Sequence, residues 1–231
     1  MEIKKTNIII VGCGPGSPEY ITPLALKAVK ETEILVGARR LLALFPDHQA
    51  ETIIEMGSHV ETVLEEMARR QDRLMVVLVS GDPGLSSLAR PVIKRFGLAS
   101  CRVIPGISSI QVAFARLGLD WARSRIIDAH GQDPEADLQA IVHSGVETTA
   151  VLGGRQGSLE WLAKAFKDLA GEWGIYVLEN LTLPDEKIRQ VEPYDLEKLE
   201  VSSRTIFLIV KRDDLAKSKC AGPDVPGAEF Q

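Results

Sequence analysis

Val11-Gly-Cys-Gly-Pro-Gly-Ser-Pro-Glu-Tyr-Ile-Thr22 is the stretch on which the rest of the chain turns. Before it runs Asn7-Ile-Ile-Ile-Val11, a short apolar run of β-branched residues that predicts a buried first strand. After it runs Pro23-Leu-Ala-Leu-Lys-Ala-Val-Lys30, which predicts a helix with Thr22 as N-cap and Pro23 at the first helical position. Gly12, Gly14 and Gly16 lie between, where missing side chains let a ligand or another backbone approach closely. A loop that leaves a buried strand and enters a helix sits at the carboxyl edge of a parallel sheet, where open α/β sheets bind ligands. A Gly-rich turn with a purely structural role is the other reading of this loop taken alone.

The spacing argues against a dinucleotide. The fingerprint G-x-G-x-x-G opens directly into a helix and has an acid about 20 residues on, at the end of the second strand. Here Gly14-Pro15-Gly16 is followed by Ser17-Pro18, and the two prolines remove amide donors that a pyrophosphate needs. Glu31 and Glu33 precede the second strand, Ile34-Leu-Val-Gly37, and so lie at its wrong end for a ribose. No G-x-x-x-x-G-K-[ST] phosphate loop occurs.

Composition narrows the class. The 231 residues suffice for one large or two small domains, and 45% hydrophobic with 26% charged residues is ordinary for a globular protein. A formal net charge of -5 argues against general nucleic-acid binding, which wants a basic footprint. Cys13, Cys101 and Cys220 lie far apart without a C-x-x-C, so neither a metal site nor a disulfide framework is expected, in keeping with a reducing cytoplasm. The apolar run after the amino terminus is too short for a signal peptide, and no run is long enough to span a bilayer.

Further along, Ala38 to Phe45 predicts a short helix, Thr52-Ile-Ile-Glu55 a third strand and Val60 to Arg70 a helix. Arg73-Leu-Met-Val-Val-Leu-Val79 is apolar enough to predict a parallel strand covered on both faces. It runs into Ser80-Gly-Asp-Pro-Gly-Leu-Ser-Ser87 and a helix from Leu88 to Phe96. The plan repeats with the strand Cys101-Arg-Val-Ile104, the loop Pro105-Gly-Ile-Ser-Ser109 and a helix from Ile110 to Leu117, which Ser108 and Ser109 could cap. Beyond it, strands are expected at Arg125–Ala129, Thr148–Leu152, Gly174–Leu178 and Thr205–Val210, with helices over 134–143 and 159–170. Lys187-Ile-Arg-Gln-Val191 alternates and predicts an antiparallel or edge strand. The expected fold is therefore α/β with two α/β domains: residues 1–118 around a mostly parallel sheet, and residues 119–211 around a mixed sheet. A flexible tail over 212–231 completes the chain, and the cleft between the domains is the expected active site.

Gly12-Cys-Gly-Pro-Gly16, Ser80-Gly-Asp-Pro83 and Pro105-Gly-Ile-Ser-Ser109, at this spacing, resemble the tetrapyrrole (class III) S-adenosylmethionine-dependent methyltransferases. Val36-Gly-Ala-Arg-Arg-Leu-Leu42, Arg116-Leu-Gly-Leu-Asp-Trp121, Asp128-Ala-His-Gly131 and Glu179-Asn-Leu-Thr-Leu-Pro-Asp-Glu-Lys-Ile188 are similar to the branch that methylates C5 of cobalt-precorrin-7, or of its metal-free counterpart, in cobalamin biosynthesis. The resemblance covers residues of about 7 to 211. The chain departs from it at Leu85 and Ser87, where the family often has an aromatic and a glycine, and at Gln156-Gly-Ser-Leu159, where Asn-Ser-Pro is usual.

The resemblance implies S-adenosylmethionine as cofactor, lined by Pro15, Gly81, Asp82, Leu85, Ser108 and Ser109 of the first domain and by Leu152, Gly153, Val177 and Leu178 of the second. It places Gly14 and Gly16 on the side of a corrinoid substrate rich in carboxylates, for which Arg39, Arg40, Arg90, Arg123 and Arg155 are the candidate partners. Each arginine alone also reads as a solvated surface residue, and Asp82 as a turn acid. His130 and Glu179, at strand ends, are candidates for moving a proton, against a structural role for each. The resemblance further implies a homodimer and, because some relatives are fused to a C15-methyltransferase/decarboxylase, a separate subunit of that kind. Competing readings are a sister enzyme acting on another corrinoid carbon, a dinucleotide-dependent oxidoreductase, and a non-catalytic tetrapyrrole-binding subunit.

Overall fold

A computed structural model describes residues 7–57, 59–130, 146–154, 156–166 and 173–211. The helix expected over 134–143, the tail over 212–231 and Arg155 lie outside the described residues. The chain divides into two compact units, Met1–Ser109 and Ile110–Gln231, a division earlier in the chain than the expected one at 118.

The first unit is built on five parallel strands: β1 (Ile8–Gly12), β2 (Ile34–Gly37), β3 (Thr52–Glu55), β4 (Met75–Val79) and β5 (Cys101–Ile104), in the order β3-β2-β4-β1-β5. The sheet is wholly parallel, where the sequence predicted a mostly parallel one. Its central strands must be apolar on both faces, because right-handed crossovers lay helices on each side. On one face α1 (Pro23–Lys30) and α2 (Arg39–Leu42) pack Ala25, Val29 and Leu41 against Leu35, Val76 and Leu78. On the other α3 (Val60–Ala68) and α4 (Ala89–Phe96) pack Leu64, Met67 and Val92 against Ile10, Met75 and Val77. Each such buried Val, Leu, Ile or Met side chain contributes roughly 1.5–3 kcal/mol through removal from water, and Ala25 less.

The start of α1 follows its sequence signal. Thr22 Oγ1 accepts from the Ala25 amide at 3.2 Å, and Pro23 occupies the first turn, where its missing N–H costs nothing. Ahead of it, Pro18–Tyr20 forms a single 3-10 turn capped by the Ser17 hydroxyl.

The second unit carries β6 (Ser124–Asp128), β7 (Thr148–Leu152), β8 (Trp173–Glu179), β9 (Lys187–Val191) and β10 (Thr205–Lys211), in the order β6-β7-β10-β8-β9. Only β6 and β7 are parallel, so the sheet is mixed as expected. The helix α5 (Ser109–Leu117) leads into this unit. The helix α6 (Gln156–Phe166) begins three residues before the expected Leu159 and buries Leu159 and Leu162 against Val151, Ile175, Val177 and Phe207. β9 lies at the sheet edge and is antiparallel to β8. Its alternation does not translate into a buried face, since even Ile188 is 39% exposed. Lys187 and Arg189 charge this edge, which discourages pairing with another strand.

Candidate functional site

In the first unit, β4 and β1 are neighbours whose following connections run in opposite directions, β1 towards β2 and β4 towards β5. The carboxyl ends of two such strands open a crevice for a ligand. The three predicted loops meet there. Cys13 N donates to Val79 O at 2.9 Å, and Gly14 and Gly81 exchange backbone bonds, Gly81 N to Gly14 O at 2.8 Å and Gly14 N to Gly81 O at 3.3 Å. Asp82 joins the second loop to the third: Oδ1 accepts from Gly84 N at 2.8 Å and Oδ2 from Gly106 N at 3.1 Å.

The contact is close enough to require glycine. A Cβ on Gly106 would stand 2.4 Å from Gly81 O and 2.7 Å from the Gly12 carbonyl carbon; a Cβ on Gly12 would stand 2.6 Å from Gly106 N. Gly12 is among the glycines that the first loop offers for close backbone approach; Gly106, inside Pro105-Gly-Ile-Ser-Ser109, is the partner that only the structure reveals. What marks them is that each lies at or just beyond the end of a strand, on the adjacent strands β1 and β5.

Around this junction the sequence-predicted residues of the first unit are gathered. Pro15, Gly16 and Leu85 are half-buried, Gly14 is buried, and Ser108 is 7% exposed directly ahead of Ser109, the first residue of α5. Ser86, at a φ of 45°, is left-handed, which an L residue adopts only under constraint. Ser87 supplies it: its hydroxyl donates to Pro83 O at 2.6 Å and accepts from Ala89 N at 3.1 Å, tying the loop to the start of α4.

The arginine candidates separate. Arg39 is ion-paired with Glu55 at 3.0 Å and Arg123 with Glu147 at 2.7 Å, both exposed. Arg90 is exposed on α4. Arg40 reaches from α2 to the Ser80 hydroxyl, one residue before Gly81. Cys13 is fully buried, and burial pushes its thiol up to about 12 against the smaller opposing effects of the Val79 backbone and the Arg40 guanidinium, so it stays a thiol.

In the second unit, β7 ends in Leu152-Gly153. Gly153 N donates to Thr205 O at 2.9 Å and its carbonyl stands 2.9 Å from His130 Nδ1. A Cβ on Gly153 would meet the buried Phe207 ring at 2.2 Å. Val177 and Leu178 are fully buried within β8, with Val177 in the α6 core. His130 is exposed, and its amide donates to Asp128 Oδ1 at 3.0 Å. Glu179 is 6% exposed with both oxygens engaged, Oε2 by Arg189 at 3.0 Å and Oε1 by the Ser202 amide at 2.8 Å. A buried carboxylate held on both sides in this way anchors β9 and the β10 approach to β8.

The loop leaving β8 holds two left-handed residues, Asn180 at φ 50° and the β-branched Thr182 at φ 70°. Glu186 holds it in place: Oε2 accepts from Thr182 N at 2.6 Å, and Arg116 of α5 donates to both oxygens, at 2.7 and 3.2 Å. Burial works to raise the Glu186 pKa, but Arg116 and the Thr182 amide outweigh it and hold the carboxyl below the usual range. The folded-state pKa therefore lies below that of the unfolded chain. This stabilisation is present above the ordinary Glu value of about 4.3 and is lost as the pH falls through the lower folded value. Glu186→Gln lowers stability at pH 7 by about 1 kcal/mol, and the gap to wild type closes under acid. Urea unfolding of both proteins as a function of pH checks this; a gap that persists unchanged in acid contradicts it.

Among the described residues no group of three or more His, Cys, Asp or Glu side chains is placed to hold a metal ion, and no helix is long and apolar enough to cross a membrane.

The model of the tetrapyrrole (corrin/porphyrin) methylases matches residues 7–197. The chain is 32% identical over 183 residues to the cobalt-precorrin-7 C(5)-methyltransferase of Salmonella typhimurium, covering 78% of this chain and 88% of that protein. It is 30% identical over 186 residues to the probable cobalt-precorrin-7 C(5)-methyltransferase of Methanocaldococcus jannaschii, covering 78% and 87%. Among solved structures, the precorrin-6Y methylase of Archaeoglobus fulgidus superimposes with a TM-score of 0.69 at 26% identity, covering 88% of this chain and 97% of that one.

Proposed function

Because this chain belongs to the tetrapyrrole (corrin/porphyrin) methylases, we propose that it is an S-adenosylmethionine-dependent C-methyltransferase of cobalamin biosynthesis acting on C5 of cobalt-precorrin-7 or its metal-free counterpart. What carries the reading is the joining of the three glycine-bearing loops at the end of β1, β4 and β5, in a chain 32% identical to a protein of that name. Under the same proposal the chain is a cytoplasmic homodimer that works beside a separate C15-methyltransferase/decarboxylase subunit, a view supported by the family likeness.

The residues present fit the cofactor. Backbone brought together without side chains at Gly12, Gly81 and Gly106, a half-buried Leu85 and the buried Ser108 offer close polar and apolar contacts, as a nucleoside and an amino-acid tail require. Pro15, Gly81, Asp82, Leu85, Ser108 and Ser109 would hold it in the first unit. When bound, S-adenosylmethionine supplies a methyl group already activated on a sulfonium. The chain then has to position rather than to attack, and positioning alone can supply roughly 7–11 kcal/mol of barrier lowering. The rigid loop junction suits that task. Glu179, held by Arg189 and Ser202, serves the frame of the second unit, while His130, exposed at the end of β6, is the group available to move a proton.

Thermal unfolding with S-adenosylhomocysteine and with NADH tests the cofactor. At 100 times its dissociation constant a ligand adds about 2.7 kcal/mol of stability. A rise with S-adenosylhomocysteine and none with NADH is expected; a rise with NADH alone overturns the reading of the first loop.

A further inference from the structure

We propose that Ser87 is a positioning residue for the cofactor: its hydroxyl keeps the loop after β4 in the conformation that places Leu85 at the binding site. The proposal rests on the cofactor assignment above. The loop is fastened at both ends. At its start the Asp82 carboxylate accepts from Gly84 N at 2.8 Å and from Gly106 N at 3.1 Å, and Asp82 O accepts from Leu85 N at 3.1 Å. At its end the Ser87 hydroxyl donates back to Pro83 O at 2.6 Å and accepts from Ala89 N at 3.1 Å. This second fastening reaches the core, because Leu88, Ala89 and Val92 are buried together with Val77 and Val79 of β4. Between the two lie Leu85, half-buried, and Ser86, exposed.

Ser86 shows that the second fastening works against a backbone preference. Its φ of 45° is left-handed, which is unfavourable for an L residue. Ser86 is exposed, so packing does not hold it there; the Ser87 hydroxyl, bonded to Pro83 before it and to Ala89 after it, does. Without that hydroxyl Ser86 relaxes to an ordinary conformation, and Leu85, one peptide away, moves with it. The Asp82 end cannot substitute, because its bonds reach only as far as Leu85 N. A ligand then has to restore order that wild type already has, and the entropy of doing so is subtracted from its affinity.

The experiment compares wild type, Ser87→Ala, Ser87→Thr and Thr32→Val by calorimetric titration with S-adenosylhomocysteine and by amide hydrogen exchange. Ser87→Ala weakens binding about tenfold, the loss expected when roughly one residue has to be ordered on binding. Its Leu85 amide exchanges faster than in wild type until the ligand is added. Ser87→Thr keeps the hydroxyl and recovers most of the affinity. Thr32→Val is the control for general destabilisation. It removes a buried hydroxyl that donates to Ile34 O at 2.8 Å and Leu74 O at 3.2 Å, at the amino end of the sheet. It lowers the unfolding midpoint and leaves affinity within about twofold of wild type. A Ser87→Ala affinity equal to wild type, or a loss matched by Thr32→Val, overturns the role of Ser87 and leaves the cofactor reading standing. A wild-type protein that binds no S-adenosylhomocysteine overturns the cofactor reading and the role of Ser87 with it.

Discussion

Gly106→Ala destabilises the protein by about 3 kcal/mol and removes S-adenosylhomocysteine binding. The new methyl group would sit 2.4 Å from Gly81 O and 2.7 to 2.8 Å from Gly12 backbone atoms. These neighbours are main chain, held by the Gly14–Gly81 bridge and by the ends of β1 and β4, so no side chain can swing aside. Overpacking of this kind costs typically about 1–3 kcal/mol, and a backbone-on-backbone clash belongs at the top of that range. Against a total of about 5–15 kcal/mol this is a large fraction. Gly57→Ala is the matched control, since a Cβ there meets nothing within 4 Å, and it is expected within about 0.5 kcal/mol of wild type. Urea-unfolding midpoints of the two variants decide the matter. Equal midpoints would mean that the three loops are not packed together as described.

Asp82→Ala lowers S-adenosylhomocysteine affinity more than tenfold and costs about 2 kcal/mol of stability. Its carboxylate accepts the Gly84 and Gly106 amides, one on each oxygen. Bonds to a charged group are worth about 1.5–3 kcal/mol when buried, and less here because the Gly84 bond is exposed. Removing them frees the third loop, and with it Ser108 and Ser109, from the second. Asp82→Asn keeps one acceptor oxygen but turns an amide NH2 towards a backbone N–H, so it falls between wild type and alanine in both stability and affinity. Calorimetric titration with S-adenosylhomocysteine measures the affinity. Wild-type binding by Asp82→Ala would show that the bond to Gly106 does not shape the binding loops.

Much of this frame is legible in the residues because parallel strands buried on both faces have to be apolar runs. Met75–Val79 and Ile8–Gly12 announce themselves for that reason, and Thr22-Pro23 announces α1. The loops are legible as loops, but their joining is not. Asp82 and Gly106 are 24 positions apart, and only the placement of β5 beside β1 brings them within bonding distance. The same limit applies to the polar residues. Glu179 reads from sequence as a strand-end acid open to proton transfer, yet its partners come from β9 and from the approach to β10. Arg39 and Arg40 read alike until α2 turns one to Glu55 and the other to Ser80. Alternation at Lys187–Val191 reads correctly as an antiparallel edge strand, but it does not tell that Ile188 stays exposed there. Thr182 carries a left-handed conformation that its β-branched type does not advertise, held by Glu186, whereas Asn180 is of a type that favours it and its side chain bonds Asp185.

The central claim is most directly tested by incubating the protein with cobalt-precorrin-7 and S-adenosylmethionine isotopically labelled in its methyl group, then locating the label by NMR. One labelled methyl on C5, dependent on enzyme, is the predicted result. Label at another corrinoid carbon, or no label in a preparation that binds S-adenosylhomocysteine, would contradict it.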